Sequence, residues 1–130
     1  MLLRRKYYNT KGRYTSSKPV IVVGNLCLGG SGKTPHVEYL VRFLSEKYKV
    51  AVLSRGYGRK TEGYLLANEQ HSHLDIGDEP LLYFTKFKDI KVAVDEDRCN
   101  GMDNIIKEEN PQIILLDDAF QHRKIKPGLN

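Results

Sequence analysis

The stretch Val20-Ile21-Val22-Val23-Gly24-Asn25-Leu26-Cys27-Leu28-Gly29-Gly30-Ser31-Gly32-Lys33-Thr34-Pro35 decides the fold. Its first four residues are a continuous β-branched run, which predicts a strand buried on both faces. A helix is predicted from Thr34 or Pro35, because Val37, Leu40, Val41, Leu44 and Tyr48 recur at helical spacing with polar residues between. Pro35 suits the first helical turn, where a missing N–H costs nothing. Between strand and helix, the glycines let the backbone curl so that successive N–H groups face inward, and the helix N-terminus adds its dipole. That arrangement holds phosphate. Lys33 would reach the β- and γ-phosphates of a nucleotide, and the Thr34 hydroxyl would ligate Mg²⁺. Cys27 stands where the usual P-loop pattern has its first glycine, so Gly29, Gly30, Ser31 and Gly32 carry the cradle. The bland alternative is a glycine-rich turn with an exposed lysine. The order strand, loop, Gly-Lys-Thr, helix favours the P-loop.

Working outward, Val50-Ala51-Val52-Leu53 predicts a second buried strand, so residues 20–53 form one βαβ unit. Residues 55–76 break the alternation. Gly56, Gly58 and Gly63 with Arg55, Arg59 and Lys60 predict a mobile basic loop, with a short strand at Tyr64-Leu65-Leu66. Asp78-Glu79-Pro80 reads as a helix start continued by Leu81, Leu82, Phe84 and Phe87. Ile90–Val94 predicts a third strand, residues 96–109 a weaker helix interrupted by Gly101, and Ile113–Leu116 a fourth strand ending in Asp117-Asp118. The expectation is an α/β, P-loop NTPase-like fold with a mainly parallel sheet and helices on both faces. Strand order is not legible at this level. Lys126-Pro127-Gly128-Leu129-Asn130 is a turn leading toward another strand, which predicts a truncated domain.

The chain has 130 residues, enough for one hydrophobic core, with 40% apolar and 28% charged residues. No apolar run approaches the length that spans a bilayer. Cys27 and Cys99 make no disulfide framework and read as free thiols. The net charge of +5 is concentrated in residues 1–18, where Arg4, Arg5, Lys6, Lys11, Arg13 and Lys18 stand without an acid. A solvated tail accounts for this charge. The interleaved Tyr7, Tyr8 and Tyr14 also suit an anionic membrane surface. No nucleic-acid recognition motif accompanies the charge. Residues 1–18 are thus expected to be a basic segment, Leu2-Leu3-Arg4-Arg5 resembling the tail of an amphipathic helix, and residues 19–130 the incomplete nucleotide-binding domain.

Among the carboxylates, Asp117 follows four apolar residues, as in a Walker-B strand, which would place it on Mg²⁺ at the sheet's C-terminal edge. A strand-end aspartate capping the next turn is the alternative. Asp118, Gln121, His122 and Arg123 follow at the same edge, where open α/β sheets bind ligands; His122 also reads as an ordinary exposed histidine. Asp78 reads as an N-cap. It also reads as a carboxylate that accepts the proton of an acceptor hydroxyl.

Taken together, these motifs resemble the tetraacyldisaccharide 4′-kinase family, the lipid A 4′-kinases of Gram-negative bacteria. The matching pieces are Val23-Gly24-Asn25-Leu26, Gly29 through His36, Leu53 through Lys60, Gly77-Asp78-Glu79-Pro80-Leu81-Leu82, Asp97-Arg98, and Asp117-Asp118 through Phe120-Gln121-His122-Arg123. They stand in family order between residues 19 and 123. The resemblance implies transfer of the ATP γ-phosphate to the 4′-hydroxyl of a lipid A disaccharide 1-phosphate. It implies that Lys33 and Thr34 bind MgATP, that Asp117 and Asp118 hold or orient the metal, and that Asp78 acts in acceptor activation. Arg55, Tyr57 and Arg59, with Gln121 and His122, would lie where an anionic head group is met. The resemblance further implies peripheral attachment to the cytoplasmic face of the inner membrane through an N-terminal helix. A second domain carrying a histidine partner for Asp78 would close over the site. No obligate protein partner is implied. The chain alone is then expected to transfer phosphate scarcely at all.

Three other classes compete. A regulatory P-loop ATPase acting on a protein partner would carry a first lysine where this chain has Leu28. A GTP-binding switch needs Asn-Lys-x-Asp, and Lys86-Phe87-Lys88-Asp89 lacks the asparagine. A binding-only protein that has lost catalysis is disfavoured by the complete carboxylate set.

Overall fold

The computed structural model of the chain describes residues 8–9, 16–23, 33–117 and 125–126, with backbone alone at 8–9, 33–35 and 125–126. In chain order the elements are β1 (Tyr8–Asn9), β2 (Val20–Val23), α1 (Lys33–Ser45), β3 (Val50–Ser54), β4 (Leu65–Leu66), α2 (His73–Ile76), α3 (Asp78–Lys86), β5 (Lys91–Val94), α4 (Arg98–Glu109), β6 (Ile113–Asp117) and β7 (Ile125–Lys126).

Five strands form the main sheet in the order β2-β6-β3-β5-β4. The first four run parallel, and β4 closes the β5 side antiparallel, with Leu65 opposite Val94. β1 and β7 pair separately and antiparallel, Tyr8 opposite Lys126. Within the basic N-terminal segment, Tyr8–Asn9 is therefore extended, while residues 1–7, including Leu2-Leu3-Arg4-Arg5, lie outside the described residues, as does the turn at 127–130.

The strand residues sort by parity. Val50 and Val52 of β3 join Ile21, Val23, Ile113 and Leu115 in a core covered by Val37, Val41 and Leu44 of α1 and Tyr83 of α3. Ala51 and Leu53 join Val20, Ile114 and Leu116 on the other face, under Met102 and Ile105 of α4. Alternate residues of a strand point to opposite faces, so a strand apolar at every position demands helices on both sides. β3 and β6 are buried at every position for this reason. Next to each other on the first face, α1 and α3 are tied by Lys86 to Glu38 at 3.0 Å and by the Arg42 guanidinium 5.6 Å above the Phe87 ring.

Three expectations need correction. First, α4 runs unbroken through Gly101. A Cβ there would lie 2.8 Å from Leu53 Cδ1 and 3.0 Å from Asp95 Cβ, so the glycine lets the helix approach the sheet rather than stopping it. Asp97 starts the helix, its carboxylate accepting from the Cys99 and Asn100 N–H groups at 3.1 and 3.2 Å. Secondly, the N-cap of α3 is Gly77 and no side chain caps it; Asp78 is already the first helical residue. Its cap reading fails. The reason is the short helix α2, which the sequence reading missed. It is set by a capping box in which Ser72 Oγ accepts from the Leu74 N–H at 3.2 Å and Asp75 Oδ2 accepts from the Ser72 N–H at 2.8 Å. α2 ends at Gly77 (φ +95°), which leads directly into α3. Thirdly, the segment after β3 is held by specific bonds instead of forming a mobile loop. Lys60 N–H donates to Leu74 O at 2.7 Å, and Arg59 is built into an internal network described below.

Candidate active site at the C-terminal edge of the sheet

Parallel strands deliver their C-terminal ends to one edge, and open α/β sheets bind ligands there. At that edge β2 ends at Val23, directly opposite Asp117 at the end of β6. The residues that follow Val23 are the glycine-rich loop, and α1 opens at Lys33 on its far side. Gly29, Gly30, Ser31 and Gly32 lie outside the described residues, as do the side chains of Lys33 and Thr34. Even so, strand, loop position and helix start stand in the order a phosphate cradle requires.

The Asp117 side chain is 1% exposed. A carboxylate this deep must be compensated by partners or a cation. One contact comes from the Tyr83 hydroxyl, 3.5 Å from Oδ2, which is long for a hydrogen bond. A buried carboxylate at the end of the strand beside the glycine-rich segment is the donor type that Mg²⁺ takes. Asp118, Gln121 and His122 lie outside the described residues. Among the described residues no three His, Cys, Asp or Glu side chains converge on a metal position.

Two elements away, β3 ends in Ser54 and α3 begins at Asp78. A cleft of about 180 Å³ is lined there by Ser54, Arg55, Tyr57, Asp78, Glu79 and Pro80. Arg55 and Asp78 are exposed at its rim, and Tyr57 is 86% exposed. Such a volume is below the roughly 300–1,000 Å³ of a complete small-molecule site, so these residues make one wall. A larger cleft of about 570 Å³ lies at the opposite edge of the sheet, between Lys18, Leu44, Tyr48 and Gln112. It holds no acid–base pair, so its size does not make it the better candidate.

The structure separates the three residues expected to meet an anionic head group. Arg55 and Tyr57 stay at the rim, but the Arg59 side chain is only 4% exposed. Its guanidinium pairs with Glu96 and donates to Thr61 Oγ1 at 3.0 Å and to Gly63 O at 2.8 Å. Glu96 also accepts from the Gly63 N–H at 3.0 and 3.1 Å. Burial alone would push the Glu96 carboxyl up; backbone N–H donors and the Arg59 charge outweigh it and hold the group below the usual carboxylate range. Nothing in the sequence pairs Arg59 with Glu96, since the contact spans two loops. Arg98 is likewise buried, its Nη1 donating to Glu96 O at 3.2 Å. Elsewhere, burial and then the Glu108 carboxylate beside it raise the Tyr64 phenol above its ordinary range.

A phosphate loop between parallel strand and helix, with a buried aspartate on the adjoining strand, defines a P-loop nucleotide-binding α/β protein. The family model for tetraacyldisaccharide-1-P 4′-kinase matches residues 1–130, and the chain belongs to that family. The tetraacyldisaccharide 4′-kinase of Flavobacterium johnsoniae is 56% identical over 111 residues, covering 85% of this chain and 33% of the relative. That of Phocaeicola vulgatus is 52% identical over 134 residues, covering 98% and 36%. The crystal structure of the Aquifex aeolicus LpxK in complex with ATP superposes with a TM-score of 0.76 at 43% identity, covering 83% of this chain and 35% of that one. The chain thus spans about a third of the length of the relatives it matches.

Proposed function

We propose that this chain forms the nucleotide-binding portion of a kinase that moves the ATP γ-phosphate to the 4′-hydroxyl of a lipid A disaccharide 1-phosphate. One observation carries the reading. The register sets Val23, where the glycine-rich segment begins, beside buried Asp117 at the same edge as the cleft lined by Asp78, and this supports a phosphate loop and a metal carboxylate there. The ATP complex of the Aquifex aeolicus relative and the names of the curated relatives support it.

Residue roles follow from the chemistry. Backbone N–H groups of Gly29, Gly30, Ser31 and Gly32 and the Lys33 ammonium hold the phosphates. Mg²⁺, held by Thr34 and Asp117 with Asp118 beside it, would neutralise phosphate charge. Asp78 accepts the proton of the 4′-hydroxyl as its oxygen bonds to the γ-phosphorus; the bond from phosphorus to the bridging oxygen breaks, and ADP leaves. Arg55 and Tyr57 meet the anionic acceptor, with Gln121 and His122 from the loop after β6. Arg59 has no part in that contact because its guanidinium is already engaged.

The basic residues of 1–18 favour an anionic lipid surface by roughly 1 kcal/mol for each cation close to it. Peripheral attachment to the cytoplasmic face of the inner membrane is part of this proposal. Among the described residues, no helix is long and apolar enough to cross a membrane.

The test is a radiolabelled ATP assay with lipid A disaccharide 1-phosphate, using the full-length gene product with Asp78→Ala beside it. Label should enter the lipid with the native protein and fall by about a hundredfold or more in the variant, as loss of a general base does, with ATP binding intact. A folded, ATP-binding native protein that labels no lipid would defeat the proposal and favour a regulatory ATPase.

A further inference from the structure

We propose that Arg59 is a positioning residue for the acceptor side of the site, holding Asp78 in place through a backbone stack of Gly56 on Gly77. The role assigned to Asp78 rests on the kinase reading above; the mechanical link does not.

The chain of contact starts at the sheet. Glu96 follows β5 by two residues, and it grips both Arg59 and the Gly63 N–H. Arg59 extends that grip in two directions. Its guanidinium reaches Thr61 Oγ1 and Gly63 O, and Thr61 Oγ1 donates onward to Asp75 O in α2. Its aliphatic stem lies against Gly56, where an added Cβ would be 2.7 Å from Arg59 Cδ. Gly56, at φ +77°, in turn presses on Gly77, at φ +95°. A Cβ at Gly77 would lie 3.1 Å from Tyr57 O, 3.2 Å from Gly56 C and 3.3 Å from Gly56 Cα. Only residues without a side chain allow two backbones so close, and both φ values also favour glycine. Gly77 is the residue before Asp78, and Arg55 and Tyr57 flank Gly56. The two rims of the cleft are therefore joined back to back, and Arg59 is the wedge beneath the joint.

A guanidinium suits this task. Its planar fork bonds several acceptors at fixed angles, which a lysine ammonium cannot reproduce. An ordinary surface cation would not be 4% exposed in a glycine-rich loop. The nucleotide side is mechanically separate, because β6 and β3 stand between β2 and β5. Loss of Arg59 should thus be felt by acceptor transfer and not by ATP binding.

The experiment uses the full-length protein with Arg59→Met, Arg59→Lys and Glu96→Gln. In Arg59→Met, kcat/KM for the lipid acceptor should fall about tenfold to a hundredfold, the scale of a 1 Å misplacement, while the ATP Kd stays unchanged. Arg59→Lys and Glu96→Gln should retain part of the lost activity with the same split. Deuterium exchange of the Arg59→Met protein supplies a readout independent of turnover. Amides 56–57 and 77–78 should speed up together while those of β3 and β5 hold. Parallel loss of ATP binding and acceptor transfer would overturn the proposal, as would faster exchange at 56–57 without any at 77–78. A native protein that phosphorylates no lipid would sink the kinase reading alone, and the exchange result would still decide whether Arg59 couples the two segments.

Discussion

A methyl group at Gly101 would sit 2.8 Å from Leu53 Cδ1 and 3.0 Å from Asp95 Cβ. In an open helix, alanine would gain about 1 kcal/mol over glycine. Here the crowding costs about 1–3 kcal/mol. Leucine's terminal methyl can yield, but the Asp95 Cβ cannot without moving β5. The expected net loss for Gly101→Ala is therefore about 1 kcal/mol by urea denaturation. An unchanged or higher midpoint would mean that α4 has room to shift. At Glu96 the sign concerns pH. Its folded-state carboxyl is held below the unfolded value of roughly 4.3, so its contribution is present above that value and lost as pH falls through the lower, folded one. The difference in Tm between the native protein and Glu96→Gln should stay level from neutral pH to about 5 and shrink in more acid solution. A difference that grew on acidification would contradict the direction of the shift.

At the scale of elements, the four parallel strands and α1 were legible, because Val20–Val23, Val50–Leu53 and Ile113–Leu116 are apolar without interruption and Ile90–Val94 is so but for Lys91. What escaped was α2, although Ser72 and Asp75 carry a capping-box pattern. Four residues are too few for a helical period to register. Gly77 serves both as the C-cap of α2 and as the N-cap of α3, whereas a carboxylate followed by Glu-Pro carries the stronger local signal of a helix start. The real carboxylate cap is Asp97. Asp97→Ala should destabilise the protein by about 1 kcal/mol, and Asp78→Ala should do so by clearly less, both read by denaturant midpoint. Equal costs would restore the cap reading of Asp78.

For the whole molecule, the candidate site is written in the sequence as a set of motifs but not as an arrangement. The adjacency of β2 and β6, which sets Val23 against Asp117, depends on strand order, and local patterns do not encode it. The burial of Arg59 depends on Glu96, 37 positions away. The family resemblance therefore grouped Arg55, Tyr57 and Arg59 at one contact, while packing buries the Arg59 side chain and leaves the other two exposed. Since the relatives are about three times longer, residues 1–130 expressed alone should transfer phosphate at a small fraction of the full-length rate, measured in the same radiolabel assay. Robust turnover by this piece would show that everything the reaction needs lies within it. Binding of the full-length protein to anionic liposomes should weaken as salt is raised, because exposed cations are screened beyond about 10 Å at 0.1 M. Salt-independent binding would assign the attachment to apolar insertion.

The placement of β2 also has a consequence for how the chain is made. Among the described residues, its one partner in the sheet is β6, on the order of a hundred residues later, and closing so long a loop is slow. During synthesis β3 and β5 emerge and can pair while β2 waits, its row of amides unanswered, for Ile113–Asp117 to leave the ribosome. The earliest strand of the parallel set to be translated is thus among the last of that set to dock, and the edge proposed to hold a nucleotide is completed late in the life of the nascent chain.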